Sequence, residues 1–276
     1  MLGITKDDPY LMEYKISEII YYPVKSLGAI SVPEIKLDKF GIQNDRRFML
    51  VDQNAEFITQ RTYPKLSLVS VRLESDGLVF SSEGLGELFF PYNVFAHDIK
   101  VQVWSDVVNA KYIDSKYTAK LSNWLGVSVR LVYMEDSAVR QVDREFFEQD
   151  QNVSFADAFP LLLTNAASLG DLNDKLKYGI PMSRFRPNIV FEGDIAFQED
   201  DWKRVSIAGI DFDLVKPCSR CGMTTINEKG ELGKEPLKTL ARYRKNEFGV
   251  CFGQNLVHRS CGTLKVGDLL VVKEFT

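Results

Sequence analysis

"KPCSRCGMTTIN", Lys216–Asn227, is the stretch on which the fold turns. Its two cysteines, Cys218 and Cys221, have C-x-x-C spacing. A thioredoxin-type dithiol needs that spacing at a helix N-terminus, where the dipole lowers the thiol pKa. Here GMTTIN follows, and its β-branched residues predict a strand instead. The chain around the cysteines is therefore read as strand, and the same reading extends to most of the sequence.

Upstream, Tyr14–Tyr22 and 29–37 are strand candidates. RRFMLV (46–51) and EFITQ (56–60) flank a turn at 52–55, and LSLVSVRLE (66–74) and LVFSS (78–82) flank Ser75-Asp76-Gly77 as a second hairpin. DIKVQVW (98–104) alternates as a half-buried strand does. One helix is clear: Asp114 or Ser115 can cap it, Tyr117, Leu121, Trp124 and Leu125 share a face, and Gly126 ends it. VSVRLVYM (127–134) follows as a strand. Residues 135–153 are polar and acidic and read as a surface excursion at a domain boundary. Beyond them come a helix over 166–177, strands at 188–193, 202–209 and 211–215, and a short helix from Pro236. Two strand pieces around Gly267-Asp268 close the chain. The expected class is α+β, rich in strands and barrel-like, with one domain over 12–134 and a second over 135–276.

The 276 residues carry a net charge of −4 and an apolar content of 45%. That is ample for a core and argues against nucleic acid or an anionic membrane as the main partner. The polar start, MLGITKDDPYLMEYK, has no signal-peptide pattern, and no apolar run approaches the ~18 residues of a membrane span. A cytoplasmic protein with reduced cysteines is expected.

A zinc site needs four ligands, usually in two close pairs. Cys218/Cys221 is one close pair, but Cys251 and Cys261 have nine residues between them and stand in different contexts, and the chain has only two histidines. The same scarcity of histidine speaks against nucleophilic triads, and neither a P-loop nor G-x-G-x-x-G is present. What remains is a single thiolate among cations, with Lys216 and Arg220 favouring the ionised sulfur that binds soft metals. Cys218 reads equally as a small buried hydrophobe. YPVKSLG (22–28) places Lys25 and Ser26 in a loop after a proline, FRPNIV (185–190) places Arg186 and Asn188 at a strand entry, and Arg46 and Arg47 open another strand. Each alone reads as a solvated side chain. Taken with the cysteine, they read as a site for a polar anion such as a phosphate.

These residues resemble a known family. YPVKSLGAISV, DRRFMLVDQNAEFITQR, DAFPLLLTNAASLGDLN, FRPNIVFEG, PCSRCGMTT, EPLKTLARYR, FGQN and KVGDLL occur in the order of the MOSC proteins, named for the C-terminal domain of molybdenum cofactor sulfurase. The likeness covers nearly the whole chain. It is nearest the branch of the mitochondrial amidoxime-reducing component and its bacterial relatives. It implies a β-barrel-like MOSC domain behind a smaller β-rich MOSC N-terminal domain, and a molybdenum–molybdopterin cofactor with Cys221 as the protein's ligand to the metal. Lys25, Ser26, Arg47, Arg186 and Asn188 match positions that hold the pterin and its phosphate, with Ser219, Arg220 and Asn255 contributing. GIQNDRR is shorter than the matching stretch in the mitochondrial proteins, so Arg46 and Arg47 compete for one role. The implied activity is reduction of small N-hydroxylated compounds, with electrons from a separate protein of ferredoxin, flavoprotein or cytochrome type. The alternative is a carrier of the cofactor, or of a persulfide on Cys221. The membrane anchor of the mitochondrial proteins, the C-terminal ferredoxin domain of some bacterial relatives and the pyridoxal-phosphate domain of the sulfurase are expected to be absent.

Overall fold

The computed structural model describes residues 12–276. Residues 1–11, on which most of the signal-peptide reading rests, lie outside them. The alternation in Glu13–Tyr21 (β1) buries Tyr14, Ile16 and Ile19 together in one apolar cluster. A bulge between Ile16 and Glu18 interrupts the register, and Ile20 packs in a different cluster, with Phe185 and Phe252. A strand with both faces covered needs a closed sheet around it. Six further strands supply it: β2 (Leu161–Asn165), β3 (Ile189–Glu192), β4 (Trp202–Ile207), β5 (Ile210–Ser219), β6 (Gly249–His258) and β7 (Leu269–Phe275). Their order is β2-β3-β1-β7-β4-β5-β6, and β6 pairs back onto β2 to close a seven-strand barrel. The β2–β3 pair is parallel and every other pair in the ring is antiparallel. Gly253 in β6 permits the closure: its φ is +76°, and a Cβ there would stand 2.6 Å from the Leu163 carbonyl oxygen.

The other half is built on a four-stranded antiparallel sheet of Phe48–Val51, Arg130–Tyr133, Asp106–Tyr112 and His97–Val103. A three-stranded meander, Ser70–Leu73, Gly77–Ser82 and Gly86–Pro91, lies beside it in the chain. Helix Ser115–Leu125 packs Leu121 and Leu125 into the apolar cluster that these sheets share. The strand-rich α+β expectation holds, but a cut at 134/135 does not follow the sheets. β1 belongs to the barrel, and Glu34–Asp38 pairs with Gly262–Lys265.

Several local expectations are corrected. Pro33 divides 29–37 into two short strands. Residues 56–60 make only isolated bridges, and Pro64 starts a 3-10 turn over Pro64–Leu68 where strand was expected. Helix Ser115–Leu125 ends as expected at Gly126 in the left-handed region, but Asp114 accepts from His97 and caps nothing with its side chain. The run 135–153 is no free excursion: Val142, Phe147 and Val153 pack onto Val257, and Arg140 is buried. GMTT forms a 3-10 turn rather than a strand, because the Thr224 and Thr225 hydroxyls donate back to the Cys221 and Gly222 carbonyls.

Glu199 is fully buried beside the first turn of helix Ala166–Lys175, taking hydrogen bonds from Asn165 Nδ2 and Ser168 Oγ at 3.2 and 3.3 Å. Burial pushes its carboxyl up from 4.5 to about 7. The native state therefore holds a proton that the unfolded chain releases above about pH 4.5. This contribution to stability is fully present below that pH and is lost as pH rises through about 7. It amounts to about 3 kcal/mol at most. Glu199→Gln should flatten the fall in urea midpoint between pH 5 and pH 8 relative to the unsubstituted protein. Parallel curves would show that Glu199 does not titrate there.

Candidate active site

A cavity of about 270 Å³ opens where loops of the first half meet β2, β5, β6 and the segment leading into β3. Seven cationic side chains line it (Lys25, Arg46, Arg61, Arg184, Arg186, Lys216 and Arg220) against one carboxylate, Asp157. In a chain of net charge −4, such a concentration marks an anion site.

Buried Tyr22 backs two of these cations. The Arg186 and Arg46 guanidinium carbons lie 4.0 and 4.3 Å from the ring centroid. Tyr22 Oη donates to the Pro187 carbonyl, and burial pushes the phenol up to about 12, so it stays neutral beside the cations. Buried Asp45 accepts from the Tyr22 amide at 2.8 Å and is ion-paired to Arg46 Nη1. Arg186 donates Nη1 to the Leu27 carbonyl at 2.8 Å, while its buried Nη2 has no partner among the described residues. Burial pushes Arg186 down to about 10, which leaves it charged at neutral pH. Ser26, Arg46 and Arg186 all have φ between 48° and 67°. Three non-glycine residues held in the left-handed region around one cavity mark a constrained functional site.

On another wall, buried Lys25 donates to the Phe155 carbonyl at 2.8 Å and to Asp157 at 2.5 Å. Burial pushes the Lys25 ammonium down, and Asp157 pulls it back up. Partial desolvation raises the carboxyl of the exposed Asp157, but Lys25 and Arg61 outweigh it and hold it well below the usual range. Arg140 shapes this loop by donating to the Ser154, Ala156 and Asp157 carbonyls at 2.6 to 2.8 Å.

The cysteine loop leaves the end of β5. Cys218 and Cys221 are both half-buried and both line the cavity. Arg220 donates Nη1 to Cys218 Sγ at 2.8 Å and Nη2 to the Phe185 carbonyl, while its buried Nε is unpartnered. Arg184 Nε ties the segment before β3 to the cysteine loop through the Thr224 carbonyl at 2.9 Å.

Of the residues singled out in the sequence, Lys25, Ser26, Arg186, Asn188, Lys216, Ser219, Arg220, Cys221 and Asn255 come together here. Arg47 does not. Its guanidinium is turned to the Met134 carbonyl and Asp136 and stacks on Phe40, and Arg46 occupies the cavity wall instead. Both arginines precede strand Phe48–Val51, and the left-handed backbone of Arg46, at φ 48°, lies in the turn before it. Asn188 lines the cavity but is buried and bonded within the protein: its amide oxygen accepts from Arg46 and the Leu162 amide, and its nitrogen donates to Ile20. It positions Arg46. Arg61, Arg184 and Asp157 were not singled out in the sequence, although Arg61 ends the stretch DRRFMLVDQNAEFITQR and Asp157 begins DAFPLLLTNAASLGDLN.

The patterns of two families match the chain: the MOSC N-terminal beta barrel domain over residues 13–128 and the MOSC domain over 150–271. Mitochondrial amidoxime-reducing component 1 of Danio rerio is 32% identical over 270 residues, spanning 92% of this chain and 83% of its own length. The human component 1 is 30% identical over 274 residues, spanning 92% and 81%. Component 2 of Bos taurus is 28% identical over 279 residues, again spanning 92% and 81%. The chain belongs to the MOSC family that includes the amidoxime-reducing components. Among the described residues, no helix is long and apolar enough to cross a membrane.

Proposed function

We propose that this chain binds a molybdenum–molybdopterin cofactor, with Cys221 as ligand to the metal, and reduces N-hydroxylated compounds. The balanced reaction is R–NHOH + 2e⁻ + 2H⁺ → R–NH2 + H2O, the electrons coming from a separate ferredoxin, flavoprotein or cytochrome-type protein. The observation that carries the reading is one cavity that combines a half-buried cysteine with two buried guanidinium nitrogens left without partners, Arg186 Nη2 and Arg220 Nε. Buried donors without acceptors are costly, and both belong to side chains that line the cavity.

When bound, the metal centre would supply two-electron, oxygen-accepting chemistry. The chain's part is binding and orientation. Arg186, Arg46 and Lys25 would hold the phosphate, Arg220 and Ser219 would flank the ligand loop, and Asn255 would border the cavity from β6. Asn188 would act through Arg46. Arg47 has no place in this assignment.

Protein from a molybdenum-replete host should retain molybdenum through gel filtration, hold zinc well below stoichiometric, and reduce benzamidoxime when given a chemical reductant. Stoichiometric zinc without molybdenum or pterin would overturn the reading. Loss of the metal to an acceptor apoprotein would favour the carrier alternative. Arg186→Asn, chosen because asparagine tolerates the left-handed backbone, should weaken cofactor retention about ten- to a hundredfold with the fold intact. Retention equal to wild type would remove Arg186 from the site.

A further inference from the structure

Trp104 stands in a place its backbone does not favour. It begins the two-residue turn between strands His97–Val103 and Asp106–Tyr112, with φ at 56°. Such turns select glycine, asparagine or aspartate, because a Cβ at positive φ is strained. The chain puts its bulkiest type of side chain there and leaves that residue 44% exposed. A turn that breaks its own rule with no gain in core burial points to function.

The contacts of the indole point to the cavity. Arg61, a lining residue, sets its guanidinium carbon 4.5 Å from the Trp104 ring centroid. Trp104 Nε1 donates to Asp157, another lining residue, at 3.3 Å. Phe57 backs the indole at 5.2 Å with the rings inclined by 60°, and Lys25 lies 5.3 Å from the Phe57 centroid. Gln102 Nε2 donates to the Trp104 carbonyl at 2.9 Å and fixes the turn. A partly exposed, braced indole therefore stands against two residues of the cavity lining.

We propose that Trp104 is a specificity-determining residue of this site: its indole, held by Arg61 and Phe57, receives the aromatic ring of an aryl-substituted N-hydroxylated substrate. This rests on the reductase reading for what enters the cavity. The stacking preference is a binding property that can be measured without turnover. A flat ring gains attraction from the indole and from the adjacent guanidinium, whereas a methyl group of the same head chemistry gains little.

The test compares benzamidoxime with acetamidoxime by isothermal titration of the intact holoprotein. Trp104→Asn suits the positive φ and removes the ring. Trp104→Phe keeps a ring and removes the hydrogen bond to Asp157. Wild type should bind benzamidoxime about tenfold more tightly than acetamidoxime, within the range of an aromatic pair. Trp104→Phe should keep most of that preference and Trp104→Asn should erase it, with acetamidoxime affinity unchanged in both. A preference that persists in Trp104→Asn, or is absent from wild type, would overturn the proposal. So would equal weakening of both ligands, since that would mean the residue merely supports the loop through Asp157. A Trp104-dependent preference in a protein that turns over neither compound would uphold this inference and defeat the reductase reading.

Discussion

Cys221→Ser is expected to abolish amidoxime reduction, and Cys218→Ser to leave most of it. Both sulfurs line the same cavity, so exposure does not separate them. Their neighbours do. Cys218 Sγ already accepts from Arg220 Nη1 at 2.8 Å, and a serine oxygen there remains an acceptor for the same guanidinium. The cysteine loop and the Arg220 anchor on the Phe185 carbonyl should then persist. Cys221 Sγ has no hydrogen-bond partner recorded among the described residues, and its backbone is held by Thr224, whose amide and hydroxyl both reach its carbonyl. It is a thiol on a fixed backbone in the cavity lining, which is the geometry the proposed ligand role requires. Serine in its place would offer a harder oxygen with far weaker affinity for a soft centre. X-ray absorption at the molybdenum edge should lose one sulfur neighbour in Cys221→Ser and none in Cys218→Ser. Loss in Cys218→Ser alone would place the ligand on the other cysteine.

The legible part of this protein was the part written in local pattern. Local strand pattern marked β1 and β4, alternation marked the strand from His97, and Gly126 marked a helix end, because each depends on neighbours in sequence. Barrel closure was not legible in the same way. It rests on β6 meeting β2 across the Gly253 contact, between segments some ninety residues apart. The anion site was legible where a proline or strand entry fixed the backbone, at Lys25 and Arg186. It was illegible at Arg61, Arg184 and Asp157, which reach the cavity only through the packing of loops from both halves. The choice between Arg46 and Arg47 was not written in a strand pattern, because both precede strand Phe48–Val51. The observed turn, with Arg46 at φ 48°, reverses the expected assignment.

That reversal has a measurable consequence. Asp45 is 1% exposed, and Arg46 is its ion-pair partner. Burial pushes the Asp45 carboxyl up, and Arg46 with the Tyr22 amide opposes the rise. Removing the guanidinium leaves a buried carboxylate with the amide and the more distant charge of Arg186. Breaking a buried pair from one side costs about 3–5 kcal/mol, because the remaining charge is uncompensated. Arg46→Asn, which accommodates the positive φ, should therefore lower the urea midpoint steeply. Arg61→Asn removes a cation from the same cavity and should cost under about 1 kcal/mol, since Arg61 is half-buried and has no buried carboxylate depending on it. Asp45→Asn in the Arg46→Asn background should recover much of the loss, because the asparagine oxygen can still accept from Tyr22 without carrying charge. The cofactor reading makes no contribution to this ordering, which applies to the metal-free protein. If Arg46→Asn cost no more than Arg61→Asn, the Asp45–Arg46 pair would not be what holds this wall of the cavity together.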